Sequence, residues 1–119
     1  MLEGLPRTLL RLEGLAVGAA ALAVYFDRDY SLVLLLLLAL APDLSFVGYV
    51  AGTRVGAAAY NALHTYVGPV ALGTIGLLAD SNRSLQIALI WLAHIGIDRL
   101  LGYGLKYPTA FKDTHLQRV

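Results

Sequence analysis

Four long apolar stretches dominate the pattern of the chain, and short polar turns separate them. The stretches cover about residues 6–26, 30–50, 55–79 and 84–101, and a polar tail follows over 102–119. A helix that crosses a membrane needs roughly 20 mostly apolar residues, which each stretch nearly reaches or exceeds. The pattern predicts an all-α fold: an integral membrane antiparallel four-helix bundle, residues 1–119 in one domain, with an interfacial tail.

Composition supports a membrane protein. Hydrophobic residues make up 58% of the 119 positions and charged residues 14%, whereas a soluble domain carries about 25% charged residues. The absence of cysteine excludes disulfide bonds and thiolate metal sites. Arg7 and Arg11 before an apolar run also imitate a secretory signal. Cleavage there would leave three spans and no exported domain, so we expect the first span to stay.

The positive charges predict the orientation of the spans. With the N-terminus inside, seven lysines and arginines face the cytoplasm and two face outward, which is the usual bias. The inner set is Arg7, Arg11, Arg54, Arg99, Lys106, Lys112 and Arg118, and the outer set is Arg28 and Arg83. We therefore predict a bacterial inner-membrane protein with both termini in the cytoplasm.

Polar side chains occur within all four spans, where a charge that faces lipid is costly. Counted from the nearest turn at about 1.5 Å per residue, they lie about 5–15 Å deep on the cytoplasmic side. The residues are Asp43, Asn61, His64, His94 and Asp98, with Glu13 at a similar depth on the first span. We predict one polar chamber open toward the cytoplasm, with the tail as a lid that brings Asp113 and His115 to its mouth.

Prolines and glycines modify the spans. Pro42 and Pro69 remove backbone donors, so we expect a kink in the second and third spans. Small-residue faces at Gly14 and Gly18, and at Gly52 and Gly56, permit close approach between helices in lipid. These faces predict a homodimer.

The chamber residues supply nitrogen and oxygen ligands of the type that binds zinc, manganese or iron. His94 and Asp98 are four residues apart, so they share a helix face and can chelate together. We predict a divalent transition metal ion (Zn, Mn or Fe) held by His64, His94, Asp98 and Asp43. The remaining roles are catalytic for Asp43 and His94, substrate-binding for Asn61, Tyr60, Arg99 and Lys106, and supporting for Glu13.

Two alternatives use the same residues without a metal. One is a buried polar network that fixes helix register, with pairs such as Glu13 with Arg99 or Arg11, Asp43 with Arg54, and His94 with Asp98. In the other, Asp98 tunes His94 for proton transfer, either for catalysis or for the transport of ions or protons.

Several segments resemble a bacterial membrane family known as domain of unknown function 4260. They are Leu12-Glu13-Gly14-Leu15, Ala41-Pro42-Asp43-Leu44-Ser45, Gly48-Tyr49, Ala59-Tyr60-Asn61 with His64, Trp91-Leu92-Ala93-His94-Ile95-Gly96-Ile97-Asp98-Arg99, and Gly102-Tyr103-Gly104-Leu105-Lys106-Tyr107 through Thr114-His115-Leu116. The resemblance covers nearly the whole chain. It implies a small integral membrane protein and no established activity.

The leading hypothesis is a metal-dependent membrane enzyme, hydrolase-like, that acts on a lipid or lipid-phase substrate from the cytoplasmic side. Its alternatives are an ion- or proton-binding transport component and a structural membrane protein. The sequence has no phosphate-cradling glycine loop and no nucleic-acid-binding patch. We expect membrane lipid as the partner and no nucleic acid.

Overall fold

The computed structural model describes residues 4–106, 108 and 114–118, and these residues are almost entirely helical. Within them, the extended backbone pairing is an isolated antiparallel bridge between Lys106 and Thr114. The helices are α1 (Leu5–Asp27), α2 (Leu32–Leu38), a 3₁₀ helix (Ala41–Ala51), α3 (Thr53–His64), α4 (Val67–Leu78), α5 (Asn82–Leu101) and α6 (His115–Arg118). The all-α prediction is confirmed.

Three helical segments in the described part of the chain are long and apolar enough to cross a membrane: Leu5–Asp27, Leu32–Ala51 and Asn82–Leu101. The predicted antiparallel bundle of four spanning helices is not confirmed, because the stretch 55–79 is divided into α3 and α4, of 12 residues each. Each covers about 18 Å, well short of the roughly 30 Å hydrocarbon core.

The break between α3 and α4 lies just before Pro69. Thr65, whose carbonyl Pro69 cannot bond, adopts an extended conformation with ψ 149°. Carbonyls at the end of α3 find donors on α5 instead. Trp91 Nε1 donates to the Leu63 carbonyl at 2.6 Å, and Arg99 Nη2 donates to the His64 carbonyl at 2.5 Å. Two side chains of α5 thus satisfy carbonyls that the break leaves without helical donors. Such carbonyls need replacement donors wherever water is absent.

A second interruption occurs at Pro42. The α-helical part ends at Leu38, and the 3₁₀ helix begins at Ala41. The Asp43 N–H donates to the Leu40 carbonyl at 3.0 Å, which is an i→i−3 bond. This pattern leaves the carbonyl of Ala39 without its α-helical donor and available to another element.

Helix α5 packs against α1, α2 and α4, whereas α3 packs against the 3₁₀ helix. Ser81 caps the start of α5 by accepting from the Ser84 N–H at 3.2 Å. Gly102, in the left-handed conformation, ends the helix. Both ends of α5 thus have recognisable sequence signals.

Helices α1 and α5 run antiparallel in close contact. Arg11 Nε donates to the Leu100 carbonyl at 2.8 Å at one end, and Tyr30 and Asn82 are bonded at 3.2 Å at the other. Between them, a Cβ added at Gly96 would lie 2.6 Å from both the Gly14 carbonyl oxygen and the Gly18 nitrogen. A Cβ at Gly14 or Gly96 would clash, whereas one at Gly18 would lie 3.5 Å or more from α5.

Three of the four glycines behind the homodimer prediction are in contact with other parts of the chain, whereas a Cβ at Gly52 would meet nothing within 4 Å. Gly14 and Gly18 face α5, and Gly56 lies against the ring of Tyr49. The homodimer stays a prediction, and the face of Gly14 and Gly18 is taken by α5.

Large apolar side chains cover the outside of the second spanning segment. Val33, Leu36, Leu40, Leu44 and Val47 recur at helical spacing and are each 66–71% exposed. A continuous exposed stripe of this kind in a soluble protein would drive association. On a segment of spanning length, such a stripe is consistent with a surface that faces lipid tails.

The α1–α5 contact predicts the effect of adding one methyl group. Gly14→Ala should lower the free energy of unfolding by about 1–3 kcal/mol, because its Cβ would meet the Gly96 carbonyl 2.6 Å away. The measurement is thermal or denaturant unfolding in mild detergent. Gly4→Ala is the matched control, because a Cβ at Gly4 meets nothing within 4 Å. Equal stability of the two variants would contradict the packing described here.

Candidate metal centre

Four ionisable side chains converge on one point between the 3₁₀ helix, α3 and α5. Asp43 comes from the first turn of the 3₁₀ helix, His64 is the last residue of α3, and His94 and Asp98 lie one turn apart on α5. One ligand atom from each residue lies within 4.8 Å of the other three. The structure thus brings together the four residues that the sequence suggested as metal ligands.

Both imidazole rings are held through their Nδ1 atoms. His64 Nδ1 is 2.8 Å from the Tyr60 carbonyl, and His94 Nδ1 is 2.7 Å from the Ala39 carbonyl freed by the Pro42 interruption. A carbonyl only accepts, so each Nδ1 carries a proton and donates it. In a neutral ring the lone pair is then on Nε2, which is the arrangement typical of metal-bound histidine.

The Nε2 atoms and the carboxylates form a compact polyhedron. The two Nε2 atoms are 3.2 Å apart, and Asp43 Oδ1 is 3.2 Å from each of them. Asp98 Oδ2 is 3.5 Å from His64 Nε2 and 3.3 Å from His94 Nε2. A tetrahedral ion with bonds of about 2.0–2.1 Å has ligand–ligand edges of about 3.3 Å. These five distances suit the edges of a small tetrahedral cation site.

The same distances are long for direct ion pairs. A protonated imidazole that donates to a carboxylate normally does so over about 2.7–2.9 Å, whereas the Nε2–carboxylate distances are 3.2–3.5 Å. The Nδ1 atoms of the same rings make bonds of 2.7–2.8 Å to carbonyls. Neutral imidazoles and ionised carboxylates would present four acceptors and no donor, so the cluster needs a cation or shared protons at its centre.

The cluster is closed on its histidine side and open on its carboxylate side. The His64 and His94 side chains are 0% and 5% exposed, and those of Asp43 and Asp98 are 32% and 17% exposed. The ring of Tyr60 stacks on His64 with centroids 3.7 Å apart. The histidines are thus fixed in orientation, while a small molecule can approach the carboxylates.

Two cavities meet at Asp43 and Asp98. The first, about 280 Å³, is an apolar crevice that the side chains of α1, α2 and α5 line. The second, about 250 Å³, is lined by Phe46, Tyr60, Tyr103 and Lys106 as well as the two carboxylates. We call them the apolar crevice and the polar cavity. Asp43 and Asp98 are thus accessible from both cavities.

A family model for a domain of unknown function, DUF4260, matches residues 7–119. The chain belongs to this family. The family resemblance of the sequence is confirmed over essentially the whole chain. No curated protein and no solved structure matches the chain. The description of this family names no activity.

Asn61 and Tyr60, which the sequence suggested as substrate ligands, are occupied by contacts within the chain. Both polar atoms of the Asn61 amide bond the backbone of Lys106: Nδ2 donates to its carbonyl and Oδ1 accepts from its N–H, each at 2.7 Å. Tyr60 is 3% exposed and lies between the ring of Phe46 and that of His64. Their contacts position Lys106 and His64.

Arg99 and Lys106 have different surroundings. Arg99 is 5% exposed and donates to the carbonyls of His64 and Tyr103. Lys106 lines the polar cavity with its Nζ 4.5 Å from the centroid of the Tyr60 ring. Burial lowers the pKa of Lys106. Lys106 therefore lines the site, whereas Arg99 bonds the carbonyl at the end of α3.

The tail folds back, but His115 does not reach the cluster. It lines a separate cavity of about 260 Å³ together with Glu13, Tyr66 and Arg99. His115 Nδ1 accepts from the Leu105 N–H at 2.7 Å, and burial, with Arg99 nearby, lowers its pKa. Glu13 is exposed and lies on the His115 side. Asp113, the other suggested lid residue, lies outside the described residues.

Sequence reasoning missed several groups that shape the site. The carbonyl of Ala39 orients His94, and Tyr103 and Phe46 line the polar cavity. Pro42 signals a free carbonyl because proline has no N–H. In an α-helix that carbonyl would belong to Leu38, whereas the 3₁₀ pairing of Asp43 with Leu40 also frees the carbonyl of Ala39. Nothing in the apolar sequence distinguishes residues of the crevice from residues that face lipid.

The Asn61 contact predicts how the tail is held. Asn61→Leu should speed hydrogen exchange at the Lys106 amide about tenfold or more, because the variant loses two hydrogen bonds worth about 0.5–1.5 kcal/mol each. The measurement is hydrogen exchange of residues 105–106 by mass spectrometry or NMR. Asn82→Leu, which removes an exposed 3.2 Å bond from Tyr30, is the matched control. Unchanged exchange in Asn61→Leu would contradict this role.

Proposed function

We propose that Asp43, His64, His94 and Asp98 bind one divalent transition metal ion (Zn, Mn or Fe) in a membrane metalloenzyme. In this proposal the enzyme is hydrolase-like and acts on a lipid-phase substrate. The observation that carries it is the convergence of four acceptor atoms at 3.2–3.5 Å, with both Nδ1 atoms committed to carbonyls.

Charge balance supports the metal. Two ionised carboxylates among buried groups carry a charge of −2, and unpaired charge is expensive at membrane depth. A divalent ion cancels this charge. Two protons would also cancel it, but shared protons favour shorter donor–acceptor distances than those in the cluster.

The ligand set and the exposure support catalysis rather than a purely structural ion. Structural zinc sites are closed and generally contain thiolates, whereas catalytic sites use imidazole and carboxylate ligands and keep a position open to substrate. Four protein ligands would fill a tetrahedral ion, so the proposal requires Asp43, the most exposed ligand, to leave the ion on the side that both cavities border. An ion of this kind, when bound, lowers the pKa of a bound water to about 7 and so supplies a nucleophile.

The roles proposed for the residues follow their exposure. His64 and His94 are rigid ligands because their rings are bonded at Nδ1 and buried. Asp43 is the most exposed of the four, so it is the one best placed to alternate between ligand and general base. Lys106 lies in the polar cavity beside the carboxylates, where it can attract an anionic group.

The orientation proposed is that both termini face the cytoplasm of a bacterial inner membrane. Arg7 Nε donates to the Leu116 carbonyl at 2.8 Å, so the start of α1 and the tail lie at the same end of the molecule. The charge bias of the sequence assigns that end to the inside. A homodimer in the membrane is part of the same proposal.

Metal analysis of protein purified without chelators or a histidine tag tests the metal centre. We expect about one zinc, manganese or iron ion per chain in the wild type, and binding weaker by about 100-fold or more in His64→Ala and His94→Ala. His115→Asn is the matched control, because it removes the third histidine and keeps an acceptor for the Leu105 N–H. Wild-type protein that stays metal-free after reloading would overturn the proposal and favour a proton-holding network.

Hydrolysis is tested separately. The metal-loaded enzyme in vesicles should cleave members of a panel of lipid esters and phosphoesters, and chelation or Asp43→Asn should abolish the cleavage. A stoichiometric metal without turnover of any panel member would leave a metal-binding protein and overturn the hydrolase assignment.

A further inference from the structure

A further polar cavity lies at the end of the molecule where the tail folds back. It measures about 260 Å³, and its lining includes Glu13 of α1, Tyr66 between α3 and α4, Arg99 of α5 and His115 of α6. We call it the tail cavity. None of these four residues belongs to the candidate metal centre, and the volume is just below the roughly 300–1,000 Å³ of sites for drug-sized molecules. The tail cavity therefore has room for a small polar ligand of its own.

Arg99 brings a buried positive charge to the tail cavity. Its guanidinium donates to the carbonyls of His64 and Tyr103 and forms no ion pair with a carboxylate of the described residues. These bonds use two of its five N–H donors, and three remain. A buried charge generally needs a partner of opposite sign, and a guanidinium pairs well with the oxygens of carboxylate or phosphate. An anionic group in the tail cavity would supply that partner.

Two further donors belong to residues that line the same cavity. The Tyr66 hydroxyl is buried and has no hydrogen-bond partner among the described residues, which native proteins rarely leave without a ligand or a water. His115 Nδ1 accepts from the Leu105 N–H at 2.7 Å, so in the neutral ring the proton is on Nε2. Three different side chains thus offer donors, which matches the four oxygens of a phosphate group better than the two of a carboxylate.

Glu13 adds a negative charge to the tail cavity. It is exposed and lies about two turns into α1, and Leu9, one turn earlier, is 48% exposed on this helix of spanning length. The ion pair with Arg99 that a register-fixing network would use is absent, and Glu13 pairs with no other described lysine or arginine. The carboxylate can therefore accept from a cationic group of a ligand that enters along the exposed side of α1.

We propose that the tail cavity binds phosphoethanolamine, either free or as the head group of a membrane lipid. The phosphate accepts from Arg99, Tyr66 and His115, and the primary ammonium donates to Glu13. A quaternary choline ammonium has no N–H to donate, so Glu13 selects ethanolamine over choline. The site goes beyond the proposed function and does not rest on it, because it shares no residue with the candidate metal centre.

The head group is tested with two pairs of probes on the purified full-length protein in mild detergent. Calorimetry compares free phosphoethanolamine with phosphocholine, and native mass spectrometry compares phosphatidylethanolamine with phosphatidylcholine of the same acyl chains. We expect the ethanolamine member to bind at least about tenfold more tightly. A preference in the free pair identifies a head group that needs no acyl chain, and one in the lipid pair alone identifies the intact lipid. No preference in either pair would overturn the inference.

Glu13→Gln tests the ammonium end of the site. The variant keeps the size of the side chain and removes its charge, so it should lose the preference for ethanolamine over choline. Asp27→Asn, which removes an exposed carboxylate at the opposite end of α1, is the matched control and should keep the preference. An unchanged preference in Glu13→Gln would overturn the inference.

Tyr66→Phe tests the phosphate end without disturbing the fold. Arg99 is a poorer choice, because its replacement also removes donors from two carbonyls. The phenylalanine variant should bind the ethanolamine probe about three- to tenfold more weakly, with thermal unfolding no lower than that of the wild type, since the lost hydroxyl has no partner. Tyr30→Phe, whose hydroxyl bonds Asn82, is the matched control. Wild-type affinity in Tyr66→Phe would overturn the proposed phosphate position.

Repeating the titrations after chelation separates this site from the candidate metal centre. We expect the same preference with and without metal, because the two sites share no residue. A preference retained in metal-free protein supports the tail cavity whatever the metal analysis finds. A preference lost together with the metal would assign the probes to the cluster and overturn the inference.

Discussion

Backbone carbonyls without a helical donor must find another donor where water is scarce, and this constraint organises the whole structure. Pro42 and Pro69 each interrupt a helix, and α5 provides the replacement donors. His94 bonds the carbonyl of Ala39, and Trp91 and Arg99 bond those at the end of α3. Side chains of α5 therefore donate to carbonyls at both interruptions. The bond from His94 to the Ala39 carbonyl also directs the Nε2 of His94 toward the cluster.

The site follows from this architecture because its members come from elements fixed in relation to α5. His94 and Asp98 are on α5 itself, and His64 ends α3, where Arg99 of α5 bonds its carbonyl. Asp43 lies in the first turn of the 3₁₀ helix. The close glycine contact with α1 holds the opposite side of α5. Four acceptor groups are thus held together by backbone constraints, and this preorganisation is what a metal site requires.

Much of the site could be predicted from the sequence because each span shows its polar residues against an apolar background. Counting residues from the turns places Asp43, His64, His94 and Asp98 at similar depth, and the structure brings them within reach of one another. The partner of Asn61 could not be predicted, because it is a backbone segment of the tail. The depth of a residue does not show which side of its helix faces the cluster. Glu13 has a similar depth, but it lines a different cavity.

The fold was less predictable at the interruptions. A proline in an apolar run predicts a kink, but whether the helix bends or ends depends on donors elsewhere. The third stretch ends and restarts because Trp91 and Arg99 satisfy the exposed carbonyls. The face of Gly14 and Gly18 was recognisable as a close-contact surface, yet sequence could not tell whether a second copy or α5 would occupy it.

X-ray absorption at the zinc edge of the zinc-loaded protein tests the proposed metal centre directly. If the four residues bind zinc, the spectrum should show about four nitrogen and oxygen ligands at about 2.0–2.1 Å, outer-shell scattering from two imidazole rings, and the loss of one ring in His94→Ala. A shell of oxygen ligands alone, or a spectrum that His94→Ala leaves unchanged, would contradict it.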